Sequence, residues 1–414
     1  MFLVSIYSNA NHSLAAITRG VRLKQPLAFN TSTLIVGEKE RKEIKRGTMY
    51  FAKSLLAFTM AAASLGGAYA KLDLSSTSNV VVIVLAFLMT INGPGGAPEI
   101  DFSNANDNCT TFDGTNLLKC PQIGTDITTC QKKGKTILLS IGGATYSEGG
   151  FQSESAAKAG ADLLWKTFGP PTTQGPFLNA SSHNGTSRYH NGRFNRLNRL
   201  NRLNSTDIHA VRANSTTIRR PFGDATIDGF DFDFEAPVTN MAPFANRLRE
   251  LSDADKSKQY FLTAAPQCPY PDAADKDILN GPVSIDAVFV QFYNNWCGVN
   301  SFSAGQQKQS SFNFEQWDNW AKTVSQNKKA KVLLGVPANT SAASTGYIPA
   351  SELEPVIAYS KSFESFGGVM MWDVSQAYGN KGFLDGVKGA LRNSTAHLLR
   401  HGFRLPSFYP VIGR

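Results

Sequence analysis

The chain has 414 residues, 42% of them hydrophobic, which is enough for one large domain or two ordinary ones with a sizeable core. A net charge of +9 would suit a nucleic-acid or membrane-surface partner, but its distribution argues against both. Residues 1–48, 174–220 and 393–414 carry +5, +7 and +3, leaving the remaining body at −6, so no nucleic-acid partner is inferred.

Residues 1–48 show no sustained periodicity and end in a charged run, Glu38 to Arg46. Next comes Met49-Tyr50-Phe51-Ala52-Lys53, followed by an apolar run from Ser54 to Gly67 and then Ala68-Tyr69-Ala70. A positive start, a short apolar core and an A-x-A end describe a secretory signal over 49–70, and so a secreted, extracellular protein. The run is too short for a stable membrane span, which needs about 20 apolar residues. A signal this far from Met1 makes residues 1–48 a non-native extension, with Met49 as the expected start.

Strands are predicted at Val80–Leu88, Thr136–Ile141, Ile227–Glu235, Tyr260–Ala265, Ala287–Tyr293, Lys331–Val336 and Gly368–Trp372. Amphipathic stretches lie between them at Ala156–Phe168, Ala242–Leu251 and Phe314–Ser325. This alternation predicts a parallel sheet with helical crossovers. Seven strands over roughly 275 residues fit one barrel better than two domains. Residues 174–220 break the rhythm with a triplet repeat, Asn195-Arg196-Leu197 onward to Asn204. Such a segment cannot bury a continuous core and is read as a disordered insertion, with a retained intron as its expected origin. Residues 393–414 are read as a tail.

The segment Asp228 to Glu235 reads DGFDFDFE. Successive strand residues point to opposite faces, so Asp231, Asp233 and Glu235 share one face and Phe230, Phe232 and Phe234 the other. Ala236-Pro237 stops the strand and leaves Glu235 at its C-terminal tip, the end that carries chemistry in parallel barrels. Packed carboxylates drive one another's proton affinities apart, as acid catalysis requires. The six histidines show no ligand spacing, so no metal and no cofactor is expected.

DGFDFDFE resembles the DxxDxDxE signature of glycoside hydrolase family 18, and the chain is similar to fungal class III chitinases of the hevamine type. KTILLSIGG (Lys135–Gly143), LTAAPQCP (Leu262–Pro269), VQFYNN (Val290–Asn295) and GGVMMW (Gly367–Trp372) carry the same resemblance. It implies an α/β fold, a (β/α)8 TIM barrel over 71–392, that hydrolyses the β-1,4 links of chitin and N-acetylglucosamine oligomers as a monomer. The implied mechanism is substrate-assisted and retaining. Glu235 would be the general acid and later the base. Asp233 would hold the substrate's acetamido N–H, Asp231 would share a proton with Asp233, and Tyr293 would orient the acetamido carbonyl. Gln291, Asn294, Gly143, Met370 and Trp372 would contact substrate, Trp372 by stacking.

The resemblance also implies disulfides Cys109–Cys120 and Cys268–Cys297, and a cysteine partner for Cys130 that this chain lacks. The first-strand signature is missing too: Asn79–Val82 runs straight into the part matching strand 2, a deletion of roughly 30 residues. A missing strand would leave two open barrel edges. The alternatives are a weak or inactive sugar-binding lectin on the same barrel, an endo-β-N-acetylglucosaminidase acting on N-glycans, and a non-functional product. Sequons at Asn108-Cys109-Thr110 and Asn339-Thr340-Ser341 permit glycosylation.

Overall fold

The structure is a computed structural model that describes residues 2–7, 82–171 and 218–392. The predicted signal at 49–70, the repeat within 174–217 and the tail at 393–414 lie outside the described residues, as do residues 8–48.

The described strands are β1 (Phe2–Tyr7), β2 (Val82–Gly93), β3 (Ala97–Ile100), β4 (Thr110–Thr111), β5 (Leu118–Lys119), β6 (Thr136–Gly142), β7 (Gly229–Asp233), β8 (Phe261–Ala264), β9 (Ala287–Gln291), β10 (Lys331–Pro337) and β11 (Phe366–Trp372). Seven of them, β2 and β6 to β11, pair in parallel in chain order. Helices Pro121–Lys132, Glu154–Phe168, Met241–Ala254 and Ala350–Ser360 lie along the crossovers. The architecture is of the TIM-barrel type. Predicted strand ends move inward: β7 stops at Asp233 and β9 at Gln291, so Glu235 and Tyr293 stand on the loops just beyond.

The first-strand position departs from the pattern. Among the described residues no parallel strand stands between β11 and β2. Instead β1 pairs antiparallel with both, Val4 opposite Met371 on one side and Phe2 opposite Leu85 on the other. The parallel array is therefore interrupted, as the missing first-strand motif predicts. Six residues of the segment read as an extension take up both open edges.

The barrel interior is a cluster of Val82, Val84, Leu138, Ala265, Ala287, Phe289, Leu333 and Met370, with half-buried Trp372 packed against it. Outside the strands, Phe230, Phe232 and Phe234 are at most 1% exposed, and Phe232 meets Phe244 of the helix Met241–Ala254 edge-on. Each contributes roughly 2–3 kcal/mol of apolar burial as an upper bound. Their outward packing turns the alternate acids inward.

Candidate active site

Register brings the acids their partners. Ser140 of β6 and Thr263 of β8 sit directly opposite Asp231 of β7. Both hydroxyls donate to its carboxylate, Ser140 Oγ to Oδ2 at 2.7 Å and Thr263 Oγ1 to Oδ1 at 2.6 Å. Asp231 is 1% exposed, and burial pushes its pKa up to about 6 against the pull of the two hydroxyls.

Two residues along, Asp233 accepts from Gln291 Nε2 at 2.9 Å, and the same amide donates to the Ala265 carbonyl at 2.9 Å. Burial, with Glu235, Asp231 and Asp272 nearby, holds Asp233 well above the ordinary carboxylate range. Glu235 lies past the strand end with its side chain open to solvent. Desolvation by the surrounding walls and the charge of Asp272 raise its pKa. Tyr293 is buried beside the same acids, and desolvation followed by Asp233, Glu235 and Asp373 raises its hydroxyl's pKa well above the usual value. Among the described residues no ion pair neutralises Asp231, Asp233, Glu235 or Asp272. The cluster's carboxyls therefore bind protons more tightly than isolated carboxylates do.

Glycine shapes one wall. Gly142 has φ +123°, and a Cβ there would stand 2.2 Å from the Asp233 carbonyl oxygen. Gly143 has φ +81°, donates its N–H to that carbonyl at 2.7 Å, and lies against the Phe87 ring. Only glycine allows this approach at such angles. Trp372 stacks on Phe87, ring centroids 5.7 Å apart. Met370 is fully buried in the barrel core, with no surface open to the mouth. Asn294, at φ +57°, is exposed and ties its loop to the next one by accepting the Thr345 N–H at 3.0 Å.

Sequence reasoning missed Ser140, Thr263, Phe87 and Asp272. The first two sat inside motif segments but had no signal of their own. Phe87 is turned to the site by a bulge between Ala86 and Leu88, which no periodicity reveals. Asp272 accepts the backbone N–H groups of Gln267, Ala274 and Asp275, fixing its carboxylate on the loop after β8. Fully buried Asp275 has no partner on either carboxylate oxygen, and burial keeps its pKa well above the ordinary range.

Two disulfides join Cys109 to Cys120 and Cys268 to Cys297, as the resemblance implies, and Cys130 is free and buried.

Residues 58–352 match the family model described as Glycosyl hydrolases family 18. The chain belongs to glycosyl hydrolase family 18. It is 51% identical to a class III chitinase of Arthroderma benhamiae over 359 residues, covering 85% of this chain and 97% of that protein. It is 42% identical to endochitinase 33 of Trichoderma harzianum, covering 76% and 84%. Among solved structures, the xylanase and alpha-amylase inhibitor protein XAIP-II of Scadoxus multiflorus is similar at a TM-score of 0.52 and 27% identity, covering 75% and 89%. The ICChI chitinase of Ipomoea carnea has the same TM-score at 24% identity, covering 75% and 90%, and shares the fold. The same fold thus carries proteins described in different terms, so the fold by itself does not fix the activity.

Proposed function

We propose that this family 18 chain is an endochitinase that hydrolyses β-1,4 links between N-acetylglucosamine units with retention of configuration. The observation that carries this is the inward row Asp231, Asp233 and Glu235, with hydroxyls on the first, Gln291 on the second and a raised pKa on the third.

Glu235, its proton affinity raised by desolvation and by the charge of Asp272, donates its proton to the leaving glycosidic oxygen. The sugar's own acetamido oxygen attacks the anomeric carbon as that bond breaks, giving an oxazolinium ring. Asp233, oriented by Gln291, accepts the acetamido N–H and stabilises the charge that develops there. Asp231 tunes Asp233, and Tyr293 directs the acetamido carbonyl. Glu235, now ionised, takes a proton from water, which opens the ring and returns the β-anomer. Trp372 floors the cleaved sugar's place, with Phe87 stacked on its ring. Gly143 and Asn294 line the mouth, and Met370 supports Trp372 from the core.

The named relatives, a class III chitinase and an endochitinase, support chitin over N-glycans as substrate. The retained Glu235 and Tyr293 favour an enzyme over a lectin. Two disulfides and the signal-like run at 49–70 support secretion. No helix among the described residues is long and apolar enough to cross a membrane.

The test is hydrolysis of a soluble N-acetylglucosamine oligomer by this chain beside its Glu235→Gln variant, recording the anomer of fresh product. Turnover to β-anomer, falling by at least about 100-fold in the variant, is the expected result. Fresh α-anomer, or turnover unchanged by the substitution, would overturn the assignment.

A further inference from the structure

Trp296 is 62% exposed, the only exposed tryptophan of the five in the chain. Trp317 and Trp320 are fully buried, and Trp165 and Trp372 are half-buried. A single exposed apolar residue normally needs no explanation. This one differs in how firmly its backbone is held and where.

Trp296 follows Tyr293 by three residues, so their Cα atoms are no more than about 11 Å apart. The connection folds back on itself, with the Val299 N–H donating to the Phe292 carbonyl at 2.8 Å and the Gly298 N–H to Asn295 at 3.1 Å. On one side of Trp296, Asn295 Nδ2 donates to Gln267 Oε1 at 2.9 Å. On the other, Cys297 is fully buried and bonded to Cys268. The Cys268 carbonyl in turn accepts from buried Trp317 Nε1 at 2.9 Å and Asn313 Nδ2 at 2.8 Å. The loops after β8 and β9 are thereby knitted together, and a broad aromatic ring stands outside the knit in water. The ring of Trp296 is the one large apolar group of this loop left exposed.

We infer that Trp296 is an aromatic platform on which a further N-acetylglucosamine ring of a bound chitin chain stacks, beyond the sugar held at Tyr293 and Trp372. The inference rests on the chitinase reading. A pyranose ring has an apolar C–H face and a hydroxylated edge, which suit a flat surface that is apolar yet open to water at its margin. The occupant is continuous with the site: a polymer threaded past Tyr293 must leave along a neighbouring loop, and this loop carries the exposed ring. Holding the backbone rigid beforehand removes much of the ordering cost of binding. No other platform of this size is exposed among the described residues; Ile218, Val324 and Tyr378 are the other large hydrophobics on the surface, each at 40% exposure or less.

The test uses the full chain with Glu235→Gln, titrated calorimetrically with the N-acetylglucosamine hexamer. Adding Trp296→Ala should raise the hexamer Kd about tenfold, Trp296→Phe less than about threefold, and Trp296→Leu about as much as Ala, because bulk without a flat ring does not stack. Melting temperatures should match the parent, since the side chain is exposed. Hexamer affinity unchanged by Trp296→Ala or by Trp296→Leu would overturn this inference and leave the chitinase reading standing, because the parent binds. A parent that binds no hexamer would overturn both.

Discussion

Asp231 ties the site's chemistry to the protein's stability. Its folded pKa of about 6 exceeds the ordinary value, so the folded state holds the proton more tightly. The stability linked to it is fully present below about pH 4 and is lost as pH rises to about 6, by at most about 3 kcal/mol. Thermal melts between pH 4 and pH 7 should show this decline, and Asp231→Asn should flatten it; an equally steep decline in the variant would refute the assignment. Asp272 acts on Glu235 in a way that activity can read. In the proposed mechanism Glu235 must be protonated to act as acid, so turnover should fall as pH rises through its raised pKa. Asp272→Asn removes one cause of the rise while keeping a carbonyl for the Ala274 and Asp275 N–H groups. The alkaline limb of the kcat profile should therefore move to lower pH, and a limb that stays in place would show that burial alone sets the value. The alternation in DGFDFDFE made the three acids legible from sequence, because period two is a local property. Ser140, Thr263 and Asp272 were not legible, because their roles depend on which residues of other strands and loops come opposite.

Between strands, two connections hold the site in shape. The turn at Gly142 presses β6 against Asp233, where a Cβ would meet a carbonyl at 2.2 Å with φ +123°. Gly142→Ala should cost at least about 2 kcal/mol by denaturant unfolding and lower turnover, since relief of the clash moves Asp233. The disulfide Cys268–Cys297 closes a loop of sequence separation 29. Replacing both cysteines with serine should remove about 3–4 kcal/mol and release the loop that carries Trp296. A melting temperature unchanged from the parent's would show that hydrogen bonds alone brace it. The pairing of these cysteines came with the family resemblance, since five cysteines alone allow several connectivities. Predicted elements matched in order, while their ends shifted. β7 and β9 stop two residues early, where the ladder loses its neighbours, and it is this shift that places Glu235 and Tyr293 on loops.

In the whole molecule, the first-strand position sets two readings against each other. β1 supplies backbone pairing to both β2 and β11. A chain cut after Ala70, as the signal-like run predicts, would lack β1 and expose both edges. Deleting residues 2–7 should lower the melting temperature and promote association through the bared edges. An unaltered melt would show that the parallel array stands without the segment. N-terminal sequencing of secreted protein would show which form the cell makes.

The sequence by itself determined the alternation of strands and helices and the inward acids, while the missing first-strand signature and the unpaired Cys130 came with the family resemblance. The first two follow from local period, and the last two from comparing this chain's motifs with the family pattern. Only the tertiary structure decided that Phe2–Tyr7 pairs across the gap, that Phe87 meets Trp372, that Met370 is sealed in the core and that Asp231 lies between two hydroxyls. The physical reason is that these facts belong to register, burial and close approach between segments distant in the chain. Those depend on how all the strands pack together, and no single stretch of residues encodes them.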